Sequence, residues 1–448
     1  MSIHAAASAA ERLRSNGRSG SKLANAELCR NAKASPDNKP VEFLSDQISS
    51  DWACLKRKIA IVTSSRADYA HLRWLVHDLS RHPAVELQVI ALGPHVSPAF
   101  GHTGKQISVL GPPHPSKGTK GGAAKLTSVE CLLDSDTDVG MAKTIGVATL
   151  GLADALDHVR PDVLLIIADR YEMLAPASVA LALRIPIAHV EGGEITFGAI
   201  DDAVRNALTK MSHLHFACTR RAAERIANLG EEPWRITFSG SLSLDHLRRE
   251  RLLSKAQVER KLGARLGKGS ILCIYHPVTL MKKTTAEADE VFAALEELQQ
   301  PVIFIYPNAD AGSRQLIRRA EQFAETHSHS RVIVNLDHKT YLSLLKHVGV
   351  LVGNSSSGII ESTSLEVPAV NVGIRQKGRE HAANVIDVPA QRRAIRDGIS
   401  RALSPEFRRG IRGLESPYGD GGAAKIITRV LVKARLGEKL LFKNAYSI

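Results

Sequence analysis

Residues 163–172 read Val163-Leu164-Leu165-Ile166-Ile167-Ala168-Asp169-Arg170-Tyr171-Glu172, an apolar run that changes abruptly to charged residues. A short run of branched apolar residues predicts a strand that is buried on both faces, which is typical of a parallel sheet covered by helices. The same alternation of short apolar runs with helix-length segments continues to the end of the chain. We therefore predict the α/β class.

The strand pattern recurs at 58–63, 87–92, 163–167, 187–190, 214–218, 236–239, 271–275, 302–306, 332–335, 350–352 and 369–372. One very large sheet is less common than two smaller ones, so we predict two doubly wound, Rossmann-like domains that face each other. The boundary falls near 239–253, where a strand is followed by a charged segment. We expect a disordered extension over 1–55, which has no sustained period, and domains over 56–240 and 241–420.

Composition narrows the class of partner. The chain has 448 residues, a net charge of +13 and a pI of about 9.6, which suggests a nucleic acid, a membrane surface or a phosphate-bearing small molecule. Aromatic residues make up only 4%, few for stacking on single-stranded nucleic acid. No apolar run approaches the roughly 18 residues of a membrane-spanning helix. We expect no nucleic-acid or membrane partner.

The five cysteines are widely spaced and include no CxxC pair, so neither a disulfide framework nor a zinc site is indicated. This usage fits a reducing compartment. Residues 1–20 lack the apolar core of a secretory signal. We expect a cytoplasmic protein.

Carboxylates follow successive strands of the first half. Asp169 comes after the strand at 163–167 and Glu191 after the strand at 187–190, while Asp201 and Asp202 begin a helix. Each could be an ordinary cap or a surface charge. Because parallel strands place their carboxyl ends at one edge, we expect these groups to gather, and gathered carboxylates suit general acid–base catalysis.

Strand ends of the second half carry residues suited to a nucleotide. His276 follows one strand and can exchange a proton near neutrality. Residues 353–358 read Gly-Asn-Ser-Ser-Ser-Gly and run into a helix, so their N–H and hydroxyl donors predict a diphosphate site, with Glu361 available to a ribose. In the first half, Ser64-Ser65-Arg66-Ala67-Asp68-Tyr69 is either an anion site or an ordinary helix cap. Neither a GxGxxG fingerprint nor a P-loop is present.

Together these motifs resemble the hydrolysing UDP-N-acetylglucosamine 2-epimerases, over about residue 56 to the end of the chain. The resemblance runs through Ser65-Arg66-Ala67-Asp68-Tyr69, Asp169-Arg170-Tyr171-Glu172, His189-Val190-Glu191-Gly192-Gly193-Glu194, Ile200-Asp201-Asp202-Ala203-Val204-Arg205, His276-Pro277-Val278-Thr279, Pro307-Asn308-Ala309-Asp310-Ala311-Gly312-Ser313-Arg314 and Asn354-Ser355-Ser356-Ser357-Gly358. Ala168 departs from it, because the family usually has glycine there.

The resemblance implies the two-domain glycosyltransferase-B fold, with a C-terminal segment over 421–448 whose helix returns to the first domain. It also implies a homodimer or homotetramer, no cofactor and no metal. The implied reaction converts UDP-N-acetylglucosamine and water into N-acetylmannosamine and UDP for sialic-type acid synthesis. The same reaction on UDP-2,4-diacetamido-2,4,6-trideoxyglucose stays open as an alternative.

By the same resemblance, the proton-handling carboxylates are Asp169, Glu191 and Asp201 or Asp202, and His276 contacts the diphosphate or the departing oxygen. The residues expected to bind the nucleotide sugar are Arg66, Arg170, Asn308, Ser355, Ser356, Glu361 and Arg375. Two rival functions use the same nucleotide site: a glycosyltransferase would pass the sugar to an acceptor, and an inactive sensor would bind the nucleotide sugar without turnover.

Overall fold

The computed structural model describes residues 56–96, 107, 124–133, 137–307, 310, 312–334 and 336–444. The predicted N-terminal extension and Asn308 lie outside these ranges. The described residues belong to one compact unit, which holds two parallel sheets. The predicted α/β class with two doubly wound halves is therefore confirmed.

The first sheet has the strand order β3-β2-β1-β4-β5-β6-β7, and each of its pairings is parallel. Every residue of β4 is buried, because helices cover both faces of the sheet. The strand bounds are β1 Arg57–Thr63, β2 Val85–Leu92, β3 Lys125–Val129, β4 Val163–Ile167, β5 Ile187–Val190, β6 Leu214–Ala217 and β7 Ile236–Phe238.

The helices of this half mostly begin at polar caps. Ser65, Thr137 and Thr219 each accept a hydrogen bond from the backbone of the first turn that follows. The helices of this half and of the segment that leads to the second sheet are α1 Arg66–Arg81, α2 Asp138–Val159, α3 Leu174–Ala182, α4 Asp201–Met211, α5 Arg220–Asn228, α6 Asp245–Arg249 and α7 Lys255–Leu262.

The second sheet has the order β10-β9-β8-β11-β12-β13 and is also parallel throughout. Its strands are β8 Ile271–Ile274, β9 Val302–Ile305, β10 Arg331–Ile333, β11 Val350–Gly353, β12 Ala369–Val372 and β13 Val385–Val388. The remaining helices are α8 Ala286–Leu298, α9 Ser313–Thr326, α10 His338–His347, α11 Glu361–Ser364, α12 Arg392–Leu403, α13 Pro405–Gly410, α14 Ala423–Lys433 and α15 Glu438–Leu441.

Two strands of the structure, β3 and β13, are not among the strands predicted from the sequence. β3 lies at the edge of the first sheet and four of its five residues are not buried, so it lacks a continuous apolar pattern. β13 lies at the edge of the second sheet and contains the exposed Asp387. Edge strands face solvent on one side, and the apolar signal of a central strand is therefore weak in them.

The last long helix packs against the first half of the chain. Ile427 and Leu431 of α14 share a core cluster with Leu72 of α1. Asp245, at the start of α6, accepts hydrogen bonds at 2.9 Å from the N–H groups of Ala423 and Ala424. A carboxylate at a helix N-terminus stabilises the helix through its free N–H groups.

One described helix, α2, is long and apolar enough by length and composition to cross a membrane. A single helix of this kind is weak evidence for a membrane span. Ala148, Leu152 and Leu156 on its inner face pack into a core cluster with residues of the first sheet.

The sheet topology fixes where a site can form. The strand order reverses between β1 and β4 in the first sheet and between β8 and β11 in the second. Ligands of doubly wound sheets bind beyond the carboxyl ends of the strands at such reversal points. The segments that follow these strands include the motifs singled out above.

Candidate active site

The segment after β4 begins with a strained residue. Ala168 has a φ of +59°, in the left-handed region that favours glycine. Its N–H donates to Val190 O at 2.8 Å, and its carbonyl lies 2.7 Å from Nε2 of His189, so residues of β5 contact both backbone polar groups of Ala168. A glycine would meet this conformational need without strain, and here an alanine occupies the position, next to Asp169.

Arg205 on α4 connects the strand end to the helix. Its side chain is 1% exposed and forms an ion pair with Asp169, while Asp202 Oδ1 lies 3.3 Å from its Nη1. It also donates to Glu194 O at 2.9 Å and to Thr196 Oγ1 at 2.7 Å. These charge-assisted bonds fix the orientation of the Asp169 carboxylate.

Asp201 and Asp169 ionise at different pH. Burial raises the pKa of Asp201 to about 7, and the charge of Asp169 contributes to this rise, against the opposing effect of Arg375. Burial would also raise the pKa of Asp169, but Arg205, Arg379 and Arg375 outweigh it and hold that pKa below its usual value. Neighbouring carboxyl groups whose pKa values are pushed apart can act as an acid and a base.

Glu191 is a further carboxylate of this group, and we call the surface formed by Asp169, Asp201, Asp202 and Glu191 the first wall of the site. Its φ is +67°, and its N–H donates to Phe216 O at 2.9 Å. The Ser241 hydroxyl lies 3.4 Å from its Oε1, and His71 Nδ1 lies 3.6 Å from the same oxygen. A residue other than glycine in this conformation costs on the order of 1–2 kcal/mol, so the surrounding contacts have to hold it there.

The second wall is built around the turn over 353–358. Gly353 has a φ of +140°, and a Cβ at this position would lie 1.9 Å from Ile274 O, so only glycine fits. The Asn354 side chain accepts from the His276 N–H at 2.7 Å and donates to His276 O at 2.8 Å. The turn and His276 are thus held together as one piece.

His276 is buried, and it differs from the sequence-based expectation of a group that titrates near neutrality. Burial, followed by the charges of Arg375 and Arg170, lowers the pKa of His276 well below its ordinary value. Its ring is therefore neutral near pH 7 and can offer a hydrogen bond to a ligand without adding a charge. Beside it, Ser355 is buried and Ser356 is half-buried.

Two buried polar atoms of this wall lack a hydrogen-bond partner within the described part of the chain: Glu361 Oε2 and Arg375 Nε. The residues are 2% and 9% exposed. An unpaired buried polar group costs about 1–3 kcal/mol, so such groups usually mark a place where a ligand or water binds. A ligand with hydroxyl and anionic groups would satisfy both atoms.

The two walls meet at this point. Asp201 Oδ2 lies 3.7 Å from Arg375 Nη2, and the Ile200 N–H donates to Thr279 Oγ1 at 3.1 Å. Gly198 donates to Arg375 O at 3.4 Å, and a Cβ on Gly198 would lie 2.8 Å from Arg375 Cα. The loop before α4 therefore packs directly on the turn after β12.

A second connection joins the walls through Arg170. Its guanidinium makes two bonds to the Glu172 carboxylate, at 2.9 Å and 3.2 Å, and a third to Asp310 Oδ1 at 3.2 Å. Asp310 follows β9 of the second sheet. Arg170, which the resemblance places among the substrate-binding residues, is engaged with protein carboxylates in this structure.

The structure thus brings most of the predicted site residues to the strand ends of the two sheets. Asp202 also accepts from the Thr196 N–H at 2.8 Å, so its contacts are to the protein. Ser65 and Asp68 form a capping box at the start of α1. Of the two alternatives for this motif, an anion site or a helix cap, the structure shows the helix cap. Arg66 begins α1, but its side chain and Asn308 lie outside what the structure describes.

Several residues of the site went unrecognised as functional in the sequence. Arg205 had a local signal, since it follows Asp201 and Asp202 by four and three residues on a predicted helix. His71 lies on α1 just beyond the quoted motif. Arg379 pairs with Glu194 at 3.1 Å, and no local pattern links these distant positions.

The fold and this site define the class: the chain is a protein of glycosyltransferase-B type, with two doubly wound sheets whose strand ends face a common site. A family model described as UDP-N-acetylglucosamine 2-epimerase matches residues 77–432. The chain belongs to this family.

Two relatives agree with this assignment, and a solved structure agrees with the fold. The chain is 38% identical over 336 residues to GDP/UDP-N,N'-diacetylbacillosamine 2-epimerase (hydrolyzing) of Campylobacter jejuni, covering 74% of this chain and 84% of the relative. It is 33% identical to UDP-N,N'-diacetylbacillosamine 2-epimerase (hydrolyzing) of Legionella pneumophila, covering 87% and 100%. The crystal structure of UDP-GlcNAc 2-epimerase from Neisseria meningitidis bound to UDP-GlcNAc has a TM-score of 0.68 and 17% identity, covering 84% of this chain and 100% of that chain.

Proposed function

We propose that this chain is a hydrolysing UDP-sugar 2-epimerase, which converts a UDP-2-acetamido sugar and water into the free 2-epimeric sugar and UDP. The observation that carries the proposal is the 3.7 Å approach of Asp201 to Arg375. It brings the carboxylates of the first wall against the part of the second wall that is suited to phosphate. A sugar joined to a nucleoside diphosphate extends across such a junction.

The nucleotide binds to the second wall in this proposal. Ser355, Ser356 and Arg375 hold the diphosphate, and the unpaired Glu361 Oε2 accepts from a ribose hydroxyl. The neutral His276 donates to a diphosphate oxygen or to the oxygen that leaves the sugar. Donors aimed at the oxygens where charge develops stabilise the transition state.

The chemistry proceeds in two stages. A carboxylate takes the proton from C2 of the sugar while the C1–O bond breaks, and that bond's electron pair leaves with UDP. This elimination produces a C1–C2 double bond. Water then adds its oxygen to C1, and C2 receives a proton on the opposite face, which inverts C2.

The pKa order suggests how the carboxylates divide these roles. The pKa values of Glu191 and Asp169 are held below their usual values, so both are charged near neutrality and one can accept the C2 proton. Asp201, with a pKa of about 7, still carries a proton in a large fraction of molecules and can return one to C2. We assign Glu191 as the base and Asp201 as the acid; the charge of Asp169 acts on both, and Arg205 orients Asp169.

The identity of the sugar is a finer proposal. The two relatives reported above carry names with diacetylbacillosamine, a 2,4-diacetamido sugar, and they are 38% and 33% identical to this chain. Their names favour a UDP-2,4-diacetamido-2,4,6-trideoxy sugar, with UDP-N-acetylglucosamine as the second candidate. Either product would serve nonulosonic (sialic-type) acid synthesis.

The test is incubation of the purified chain with each UDP-sugar in deuterated water, without an acceptor, followed by mass spectrometry. We expect UDP and a free 2-epimer with one deuterium at C2, formed faster from the diacetamido substrate. Release of UDP without deuterium at C2 would refute the elimination. Turnover that needs an acceptor would indicate a glycosyltransferase, and binding of UDP without turnover would indicate an inactive sensor.

A further inference from the structure

His71 lies beside the carboxylate that we assign as the base. Its Nδ1 is 3.6 Å from Glu191 Oε1, and the two side chains are 24% and 8% exposed. The Ser241 hydroxyl lies 3.4 Å from the same oxygen. Both contacts go to Oε1, and within the described ranges Oε2 makes no hydrogen bond or ion pair.

His71 is surrounded by carboxylates from three elements. Glu191 faces it from the end of β5, Glu361 from α11 and Asp68 from its own helix, while the ring of His338 on α10 lies 6.4 Å away. Burial alone would lower the pKa of His71, but these three carboxylates outweigh it and raise the pKa to about 9. The ring is therefore an imidazolium at neutral pH.

Glu191 depends on this cation. Burial would raise its pKa, and the hydrogen bond and charge of His71, together with Arg379, reverse the shift. Asp169 opposes them with a like charge. Burial raises the pKa of the neighbouring Cys218 thiol well above its ordinary value, so this thiol remains neutral. His71 and Arg379 are the two cations named here that favour the charged form of Glu191. Without His71, Arg379 alone of these two would favour that form.

We propose that His71 is a positioning residue of the active site, which acts through Glu191 by holding its Oε1 so that Oε2 points toward the C2 proton of the sugar. The inference rests on the proposed function, since it gives Glu191 a substrate to act on. His71 touches no reacting atom in this proposal. Its contribution is the orientation and the charge of its partner.

A structural role for His71 would lower the rate equally at every pH, whereas this role moves the acid limb of the pH profile. In His71→Gln the charge is lost, so the pKa of Glu191 rises and the acid limb of kcat/KM moves up by about one pH unit or more. We expect kcat/KM at pH 7 to fall roughly tenfold to a hundredfold. His71→Lys, which restores a cation, should return the limb toward its original position.

His77→Gln is the matched control, because His77 lies on the same helix with its Nδ1 3.2 Å from a different carboxylate, that of Asp78. We expect this variant to keep the wild-type rate and profile. A wild-type limb in His71→Gln would overturn the proposal. An equal loss in His71→Gln and His71→Lys with the limb unmoved would overturn it as well.

A readout that needs no turnover separates this proposal from the proposed function. The ring pKa of His71, followed by NMR with the assignment made by comparison with His71→Gln, should lie near 9 and fall by more than one unit in Glu191→Gln. A value near that of a free histidine would overturn the His71 proposal in an active enzyme or an inactive one. Failure of the wild-type protein to release UDP from both sugars, with this titration as expected, would overturn the proposed function instead.

Discussion

Arg375 and Asp201 belong to the halves of the chain built on different sheets, yet the guanidinium of one lies 3.7 Å from the carboxylate of the other. Arg375 follows β12, and Asp201 begins α4. The cation lowers the pKa of Asp201, while burial and Asp169 raise it to about 7. The two residues together therefore set the pH at which the proposed acid loses its proton.

The first prediction concerns the alkaline limb. Because Asp201 must be protonated to return a proton to C2, kcat/KM for UDP release should fall as pH rises above about 7. Arg375→Gln removes a cation, so in that variant the limb should move to higher pH even though the rate is lower. Arg393→Gln, an exposed arginine on α12, serves as the control. A limb that stays in place in Arg375→Gln would contradict the pairing.

The second prediction separates two adjacent carboxylates. Asp201→Asn removes the acid and should reduce kcat roughly a hundredfold or more. Asp202→Asn should reduce kcat about tenfold or less and lower the free energy of unfolding by about 1 kcal/mol, because Asp202 bonds to Thr196 and Arg205. Enzyme assays and urea unfolding measure the two effects. If Asp202→Asn were inactive with unchanged stability, Asp202 would share the chemistry.

The third prediction concerns the strained alanine. Ala168 has a left-handed conformation that costs on the order of 1–2 kcal/mol, and Ala168→Gly removes this cost. Glycine also gives the unfolded chain more conformational entropy, which opposes the gain by a smaller amount. We expect a net gain of about 0.5–1 kcal/mol in urea unfolding. Ala153→Gly, at an exposed position inside α2, is the control and should lose about 1 kcal/mol. A loss at both positions would show that Ala168 carries no strain.

The fourth prediction concerns the turn over 353–358 in the second wall. Gly353→Ala places a methyl group 1.9 Å from Ile274 O, so the turn cannot keep its shape. We expect a loss of more than about 3 kcal/mol in stability and of UDP binding measured by calorimetry. Gly146→Ala on α2 meets no atom within 4 Å and should be stabilising by about 0.5–1 kcal/mol. Unchanged UDP binding in Gly353→Ala would remove this turn from the site.

Much of the fold could be predicted from the sequence because the central strands are buried on both faces. β4 and β11 are recognisable as apolar runs, so Asp169 and Asn354 are predicted to lie at the carboxyl ends of parallel strands. β3 was missed because it is an edge strand with mostly exposed or half-buried residues.

The site was less accessible to sequence reasoning because its electrostatics arise from tertiary contacts. Tyr418 donates to Glu194 at 3.0 Å although half of the chain separates them, and nothing local in the sequence connects them. The neutral state of His276 follows from burial and from two arginines that approach only in the folded protein. The positive φ of Ala168 gives a physical reason for the glycine that the resemblance led us to expect there.

The contacts described where the two walls meet have a consequence for how a ligand enters. Arg170 bridges to Asp310, Arg375 to Asp201 and Ile200 to Thr279, and all three contacts are polar. Polar groups that separate can exchange their partners for water, so each such contact contributes only about 0.5–3 kcal/mol net. Parting the walls at these three contacts exposes charged and polar groups to water. In the proposed reaction, the seam that admits the nucleotide sugar therefore also admits water, the second reactant.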